Sequence, residues 1–159
     1  MSEKKIPEIL IVGLPNAGKS TLINTLSKRK TSIIGSTPNT TRDKVTTTLE
    51  FDDEKRVLIS DLPGFLEDPD EINDKFQDNI LRYVNKVEHI LFLIDVHSKN
   101  YSGLDSIFNL INNNNLQNKT TTVFNKVENF KIENLDKRMY KYIFNSEIFI
   151  SAYHKKGLD

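Results

Sequence analysis

The stretch Gly13-Leu14-Pro15-Asn16-Ala17-Gly18-Lys19-Ser20 has the form G-x-x-x-x-G-K-S. An apolar run, Ile9-Leu10-Ile11-Val12, precedes it, and a helical pattern carrying Leu22, Ile23 and Leu26 follows. The strand–loop–helix setting separates a phosphate-binding loop from a chance match to the pattern. Glycines at both ends let the backbone wrap an anion, with successive N–H groups turned inward. The helix starting near Lys19 adds its positive dipole end and its unpaired amides. Lys19 is placed to reach the β and γ phosphates as a point charge, and the Ser20 hydroxyl to bind Mg²⁺. Gly13, Leu14, Pro15, Asn16, Ala17, Gly18, Lys19, Ser20 and the adjoining Thr21 are therefore the expected cradle of a nucleoside phosphate.

Outward from this loop, short apolar runs alternate with amphipathic segments, the pattern of an α/β sheet covered on both faces. Strands are expected at Glu8–Val12, Lys44–Phe51, Val57–Ser60, His89–Asp95, Thr121–Phe124 and Ile148–Ile150. The second and third are joined by the short polar link Asp52-Asp53-Glu54-Lys55-Arg56, so they should form an antiparallel hairpin in an otherwise parallel sheet. Helices are expected at Thr21–Lys28, at Asp74–Val87 with Phe76, Ile80, Leu81, Val84 and Val87 on one face, and at Leu104–Ile111. A fourth is expected at Ile132–Ile143, with Ile132, Leu135, Met139 and Ile143 as its buried stripe. Asn112-Asn113-Asn114-Asn115 reads as a loop or a frayed helix end. Two polar stretches, Arg29–Asp43 and Leu62–Asn73, are long for loops in a compact domain and flank the phosphate site, which favours functional segments.

Composition narrows the function classes. At 159 residues the chain is one domain with room for a core. Basic and acidic side chains number 22 each, so no global positive field points to nucleic acid, although a local patch remains open. Cysteine is absent, which rules out disulfides and thiolate metal sites. No apolar run approaches bilayer-spanning length, and no signal-type segment precedes the first strand. A cytoplasmic protein without membrane contact is expected. His89, His97 and His154 are scattered without ligand spacing.

Further motifs fall at expected strand ends, where doubly wound sheets carry ligand chemistry. Asp61-Leu62-Pro63-Gly64 offers a carboxylate for the Mg²⁺ shell and, at Gly64, an amide that can approach a γ-phosphate. Asn125-Lys126-Val127-Glu128 offers a carboxylate able to accept from both the ring N–H and the exocyclic amine of guanine, a donor pair adenine lacks. Asn125 can tie this loop to the phosphate loop, and the Lys126 stem can cover the base plane. Ser151-Ala152 follows the last strand, where a backbone N–H could reach the guanine oxygen.

Taken together, these motifs resemble the G domain of the GTPase family grouped as TrmE-Era-EngA, over the whole chain. Gly13–Ser20 is similar to its G-x-P-N-x-G-K-S loop, and Pro38-Asn39-Thr40-Thr41-Arg42-Asp43 to its switch signature P-G-T-T-R-D. Asp61–Gly64 is similar to D-T-P-G, Asn125–Glu128 to N-K-x-D, and Ser151-Ala152 to the final S-A. The start of the chain and its ending look most like the first G domain of the Der (EngA) branch. The resemblance implies a Ras-like P-loop fold, a mixed, mostly parallel sheet with helices on both faces. It implies GTP and GDP as ligands, Mg²⁺ held by Ser20, Thr41 and Asp61, and K⁺ held by Asn16. It implies slow GTP hydrolysis with Lys19, Thr41, Gly64 and Glu67 at the reacting phosphate. By the same resemblance the partner is the ribosome or its RNA during large-subunit assembly, reached through regions outside this chain.

The departures are specific. Phe65 stands where Ras-like enzymes carry a water-orienting glutamine. Glu67 takes the position of a glutamate used in the TrmE branch, and reads equally well as one solvated acid in the run Glu67-Asp68-Pro69-Asp70-Glu71. Leu62 replaces a threonine whose side chain faces away from the nucleotide. Glu128 replaces an aspartate, moving its oxygens outward by roughly 1.5 Å, so by length alone an aspartate should read guanine more tightly. The chain stops where the family's last helix would begin, so residues 1–159 are expected to be the G domain of a longer, multi-domain protein. Rival readings are an Era-like small-subunit GTPase, a tRNA-modification GTPase, a nucleotide-sensing module with negligible hydrolysis, and a P-loop kinase or ATPase. The last would have no use for Asn125–Glu128.

Overall fold

The computed structural model describes residues 5–29, 45–51, 55–61 and 81–159. Its centre is β1 (Glu8–Gly13), whose last four residues are buried because both faces of the strand are covered. Strand alternation sends Leu10 and Val12 into one apolar cluster and Ile11 into a second on the opposite face. The first cluster takes in Ile90, Phe92 and Ile94 and the helix stripe Leu104, Ile107 and Ile111. The second packs Leu22 and Ile23 over Ile59, Leu93 and Val123. The sheet is thus sandwiched between helices.

Around β1 lie β2 (Val45–Phe51), β3 (Lys55–Asp61), β4 (His89–Asp95), β5 (Thr120–Asn125) and β6 (Glu147–Phe149). Among the described residues they form one sheet in the order β2-β3-β1-β4-β5-β6. Only the β2–β3 pair is antiparallel, Val45 opposite Asp61 and Phe51 opposite Lys55. The expected hairpin and parallel core are present. Helix α1 (Lys19–Arg29) starts directly after the loop, and α2 (Tyr101–Asn113) follows β4. The side chain of Asn100 caps α2 by accepting from the Gly103 N–H at 3.0 Å. Its other end falls within the asparagine run, with Asn115 in the left-handed region at φ 55°. Residues 81–86 are helical, with Val84 and Val87 in the first cluster. The earlier part of the expected Asp74–Val87 helix, including Phe76 and Ile80, lies outside the described residues.

One expected helix is not there. Instead of an α-helix over Ile132–Ile143, two 3₁₀ turns occur, Ile132–Asn134 and Lys137–Tyr142. Between them Leu135 and Asp136 are extended, with ψ 127° and 129°. The cause is Asp136, whose carboxylate accepts from the Arg138 amide at 3.0 Å, the side-chain cap by which aspartate competes with helix propagation. The Arg138 guanidinium and the Tyr101 hydroxyl grip the same carboxylate at 2.8 and 2.9 Å, and these bonds, those from Arg138 first, hold it well below the usual carboxylate range. Thr122 on β5 completes the docking: its hydroxyl donates to the Tyr142 carbonyl and accepts from the Phe144 amide. Leu135, Met139 and Tyr142 are still buried, but Ile132 is 47% exposed, so the expected stripe is only partly core.

Four parallel strands end along one edge of this sheet, at Gly13, Asp61, Asp95 and Asn125. Ser151 and Ala152 follow β6 on the same side, and the functional residues gather there.

Candidate functional site

The phosphate loop is anchored from inside. Leu14 is buried in one apolar cluster and Ala17 in the other, and the Ala17 amide closes a turn on the Leu14 carbonyl at 3.1 Å. Asn16 and Gly18 take the left-handed conformation at φ 66° and 100°. Alternation of that conformation with ordinary residues turns successive amides toward one point, the geometry of an anion nest. Gly18 allows nothing larger, because a Cβ there would collide with the Asn125 side-chain amide. Asn16 is among the few non-glycine residues that tolerate this region.

Lys19 lies across the loop, its ammonium donating to the carbonyls of Gly13 and Leu14, both at 3.0 Å. Burial lowers its pKa, and the nearby Asp61 carboxylate opposes that shift. Asp61, at the end of β3, is 9% exposed. Ser20, in the first turn of α1, is exposed. A cleft of about 370 Å³ is lined by Asn16, Gly18, Lys19, Ser20, Thr21 and Lys126. A hydroxyl at a helix start, a shielded carboxylate and an inward-facing amide loop suit a Mg²⁺–phosphate group.

Next to it a second cleft of about 270 Å³ is lined by Gly18, Thr21, Asn125, Lys126, Glu128, Ser151 and Tyr153. Asn125 joins the two. It is 2% exposed, its amide donates to the Ala17 carbonyl at 2.9 Å, and its oxygen accepts from the Ala152 amide at 3.0 Å. The phosphate loop, β5 and the segment after β6 are thereby stapled into one body. Thr25 of α1 adds a third attachment, its hydroxyl donating to the Ala152 carbonyl at 2.9 Å. The Ala152 amide is therefore engaged by Asn125 rather than pointing free toward a base.

Glu128 faces this second cleft. Its carboxylate is held below the usual range chiefly by a hydrogen bond with Ser151, then by its own amide, with His154 and His97 adding smaller charge effects. Its Oε2 is shielded from solvent and has no hydrogen-bond partner among the described residues. A buried carboxylate oxygen left unpaired is costly, and a ligand bearing N–H donors removes the cost. Guanine carries such donors.

Thr41, Gly64 and Glu67 lie outside the described residues, as do Phe65, Leu62 and the whole of Pro38–Asp43. Three other residues at the site were not expected from sequence: Asp95, Tyr153 and Thr25. Asp95 pairs with Lys126 at 2.9 Å. A usable signal for it existed, since it is the one charged residue of the otherwise apolar run Ile90–Asp95 and closes a central parallel strand. His89 contacts Thr121 at 2.8 Å, and His97 and His154 are exposed. Among the described residues no group of acidic or histidine side chains is arranged to hold a metal without a ligand's help.

Comparison with known proteins agrees with this geometry. The protein family described as "50S ribosome-binding GTPase" matches residues 8–126. A GTPase Era of Ureaplasma urealyticum is 36% identical across 98% of this chain and 53% of its own length. A GTPase Der of Rickettsia bellii is also 36% identical, across 98% of this chain and 33% of its own. The chain thus spans about half the length of the one relative and a third of the other. The crystal structure of Era in complex with MgGDPNP and nucleotides 1506–1542 of 16S ribosomal RNA superposes with a TM-score of 0.70. That match has 26% identity and covers 99% of this chain and 54% of that one.

Proposed function

The chain belongs to the family of 50S ribosome-binding GTPases, and on that premise we propose that it binds GTP, hydrolyses it slowly to GDP and phosphate, and uses the change as a switch in ribosome assembly. The observation that carries the reading is the pairing of an amide nest with an unpaired acidic acceptor, held at fixed separation by Asn125.

In this reading the loop amides between Gly13 and Ser20 take the phosphates, and Lys19 exchanges its two loop carbonyls for phosphate oxygens. Burial keeps that exchange favourable, because a partly desolvated ammonium gains more from an anionic partner than from neutral carbonyls. Glu128 accepts from the guanine ring and amine, while Lys126 lays its stem along the base. Ser20 and Asp61 would hold Mg²⁺, which when bound draws negative charge from the phosphates. Thr41, Gly64 and Glu67 enter by sequence alone, Thr41 closing on the γ-phosphate, Gly64 offering its amide and Glu67 orienting water. A K⁺ ion held at Asn16, stimulating turnover, is part of the proposal.

The partner is proposed to be a ribosomal subunit or its RNA, contacted through segments that this chain does not contain. The family description supports the large subunit. The Era complex with 16S ribosomal RNA supports a second reading, in which the small subunit is the target. A cytoplasmic setting goes with either, and among the described residues no helix is long and apolar enough to cross a membrane. Single-turnover hydrolysis of GTP in potassium buffer tests the enzyme. Binding without turnover would leave a nucleotide sensor instead. Sedimentation with isolated subunits, with GDPNP against GDP, then separates the two partners.

A further inference from the structure

We propose that Asp95 is a positioning residue of the nucleotide site: its carboxylate holds the Lys126 ammonium against the phosphate loop and thereby sets how long a guanine nucleotide stays bound. This role rests on the guanine-nucleotide reading above.

The register of the sheet creates the contact. β4 and β5 run parallel with Asp95 opposite Asn125, so the residue after Asn125 begins its turn beside the Asp95 side chain. The carboxylate is itself fixed. Its Oδ1 accepts from the His97 amide at 2.8 Å, and its backbone carbonyl accepts from the Ser98 amide at 2.9 Å. Its Oδ2 is then free to face the Lys126 ammonium at 2.9 Å. The same ammonium donates to the Asn16 carbonyl at 2.7 Å. One cation therefore bridges the end of β4 and the tip of the phosphate loop.

The residue that carries this cation and the loop residue that receives it both take left-handed backbone. Lys126 sits at φ 69° and Asn16 at φ 66°, a region that side-chain-bearing residues rarely adopt. Such conformations persist only where the surroundings over-determine them. Released from Asp95, the four-carbon lysine stem regains its rotamers and leaves both the base plane and the Asn16 carbonyl. Asp95 touches no nucleotide in this scheme; it acts through Lys126.

The bland alternative is a partly exposed ion pair, with side-chain exposures of 37% for Lys126 and 21% for Asp95, of the kind that contributes little. The two accounts differ in sign. A carboxylate near a phosphate site repels phosphate, so by its field alone removing it tightens binding. Positioning demands the reverse.

The test uses release of a fluorescent GDP analogue from Asp95→Asn, Asp95→Glu, Lys126→Met and the double variant Asp95→Asn/Lys126→Met. Asp95→Asn keeps the acceptor for the His97 amide, so the turn survives. It should speed release roughly three- to tenfold with little change in the association rate. Asp95→Glu should recover most of the loss. In the Lys126→Met background the Asp95 substitution should have no further effect, a non-additivity that a merely structural residue would not show. Slower or unchanged release from Asp95→Asn, or an equal acceleration with and without Lys126, overturns the role. Wild-type protein that takes up no GDP overturns the site itself, and is recognised before any substitution is made.

Discussion

The phosphate loop and the proposed base cleft lie side by side and share Gly18, Thr21 and Lys126 in their linings, yet in the proposed function they would recognise by different means. The loop works with backbone amides, so its sequence demand is conformational: glycine at 18, a residue tolerant of left-handed geometry at 16, small or apolar anchors at 14 and 17. The base cleft works with side chains, where Asn125, Lys126, Glu128 and Ser151 each contribute a named atom. A backbone device tolerates little change at its few essential positions and is therefore easy to recognise. A side-chain device can differ by a methylene, as glutamate does from aspartate at the proposed base reader Glu128, and still present the same two oxygens.

The largest expected effect breaks both at once. Gly18→Val places branched carbons in the space of the Asn125 amide and at φ 100°, so the staple between loop and cleft is lost. GDP affinity should fall more than about a hundredfold, a left-handed valine alone costing on the order of 1–2 kcal/mol before the clash. Retained affinity in a titration with labelled GDP would show that the two regions act independently. Lys19→Ala attacks the phosphate side only. It removes a charge-assisted contact of roughly 1.5–3 kcal/mol, a ten- to hundredfold loss shared equally by GDP and ADP.

Glu128→Gln attacks the base side only. One acceptor becomes a donor facing a donor, so GDP should weaken about tenfold while ADP is unaffected. The discrimination should also be insensitive to pH over the neutral range. Glu128 is held below its ordinary value of 4.5, so it stays ionised above that value and loses its contribution only as pH falls through the lowered one. The ratio of GDP to ADP affinity should be flat from about pH 8 to pH 5, a window that lies wholly above the lowered Glu128 value. A ratio that collapses within that window would contradict Glu128 as the base reader. Replacing sodium by potassium at constant ionic strength should raise GTP turnover severalfold, and Asn16→Ala should remove the difference.

The smallest effect is expected from Glu128→Asp. Length alone favours aspartate, but the hydrogen bond with Ser151 indicates a loop fitted to glutamate. The shorter side chain gains straighter bonds to the base and loses the serine, effects of about 1 kcal/mol each and opposite sign. The net change in GDP affinity should stay within about threefold. Tightening of tenfold would restore the length argument.

Most of the sheet was legible because its signals are local. β1 and β4 hold apolar runs closed by Gly13 and Asp95, β5 is a β-branched and aromatic stretch closed by Asn125, and the β2–β3 link is short and polar. The segment 132–143 misled because apolar spacing reports which residues are buried, not what the backbone does between them. Leu135 and Met139 are buried as the spacing required, while Asp136 turns the chain by capping and by its contacts with Arg138 and Tyr101, the latter 35 positions away. At the site, Lys19 and Asn125 could be read from motif chemistry. Asp95 had a local signal as the charged end of an apolar strand, but its pairing with Lys126 had none, because only the β4–β5 register brings them together.

The most direct measurement is calorimetry of GDP and ADP, each with Mg²⁺, against the same wild-type protein. The account predicts a single GDP site and at least about a hundredfold weaker ADP binding, since adenine leaves the shielded Glu128 Oε2 unpaired. Equal affinity for the two nucleotides would contradict it.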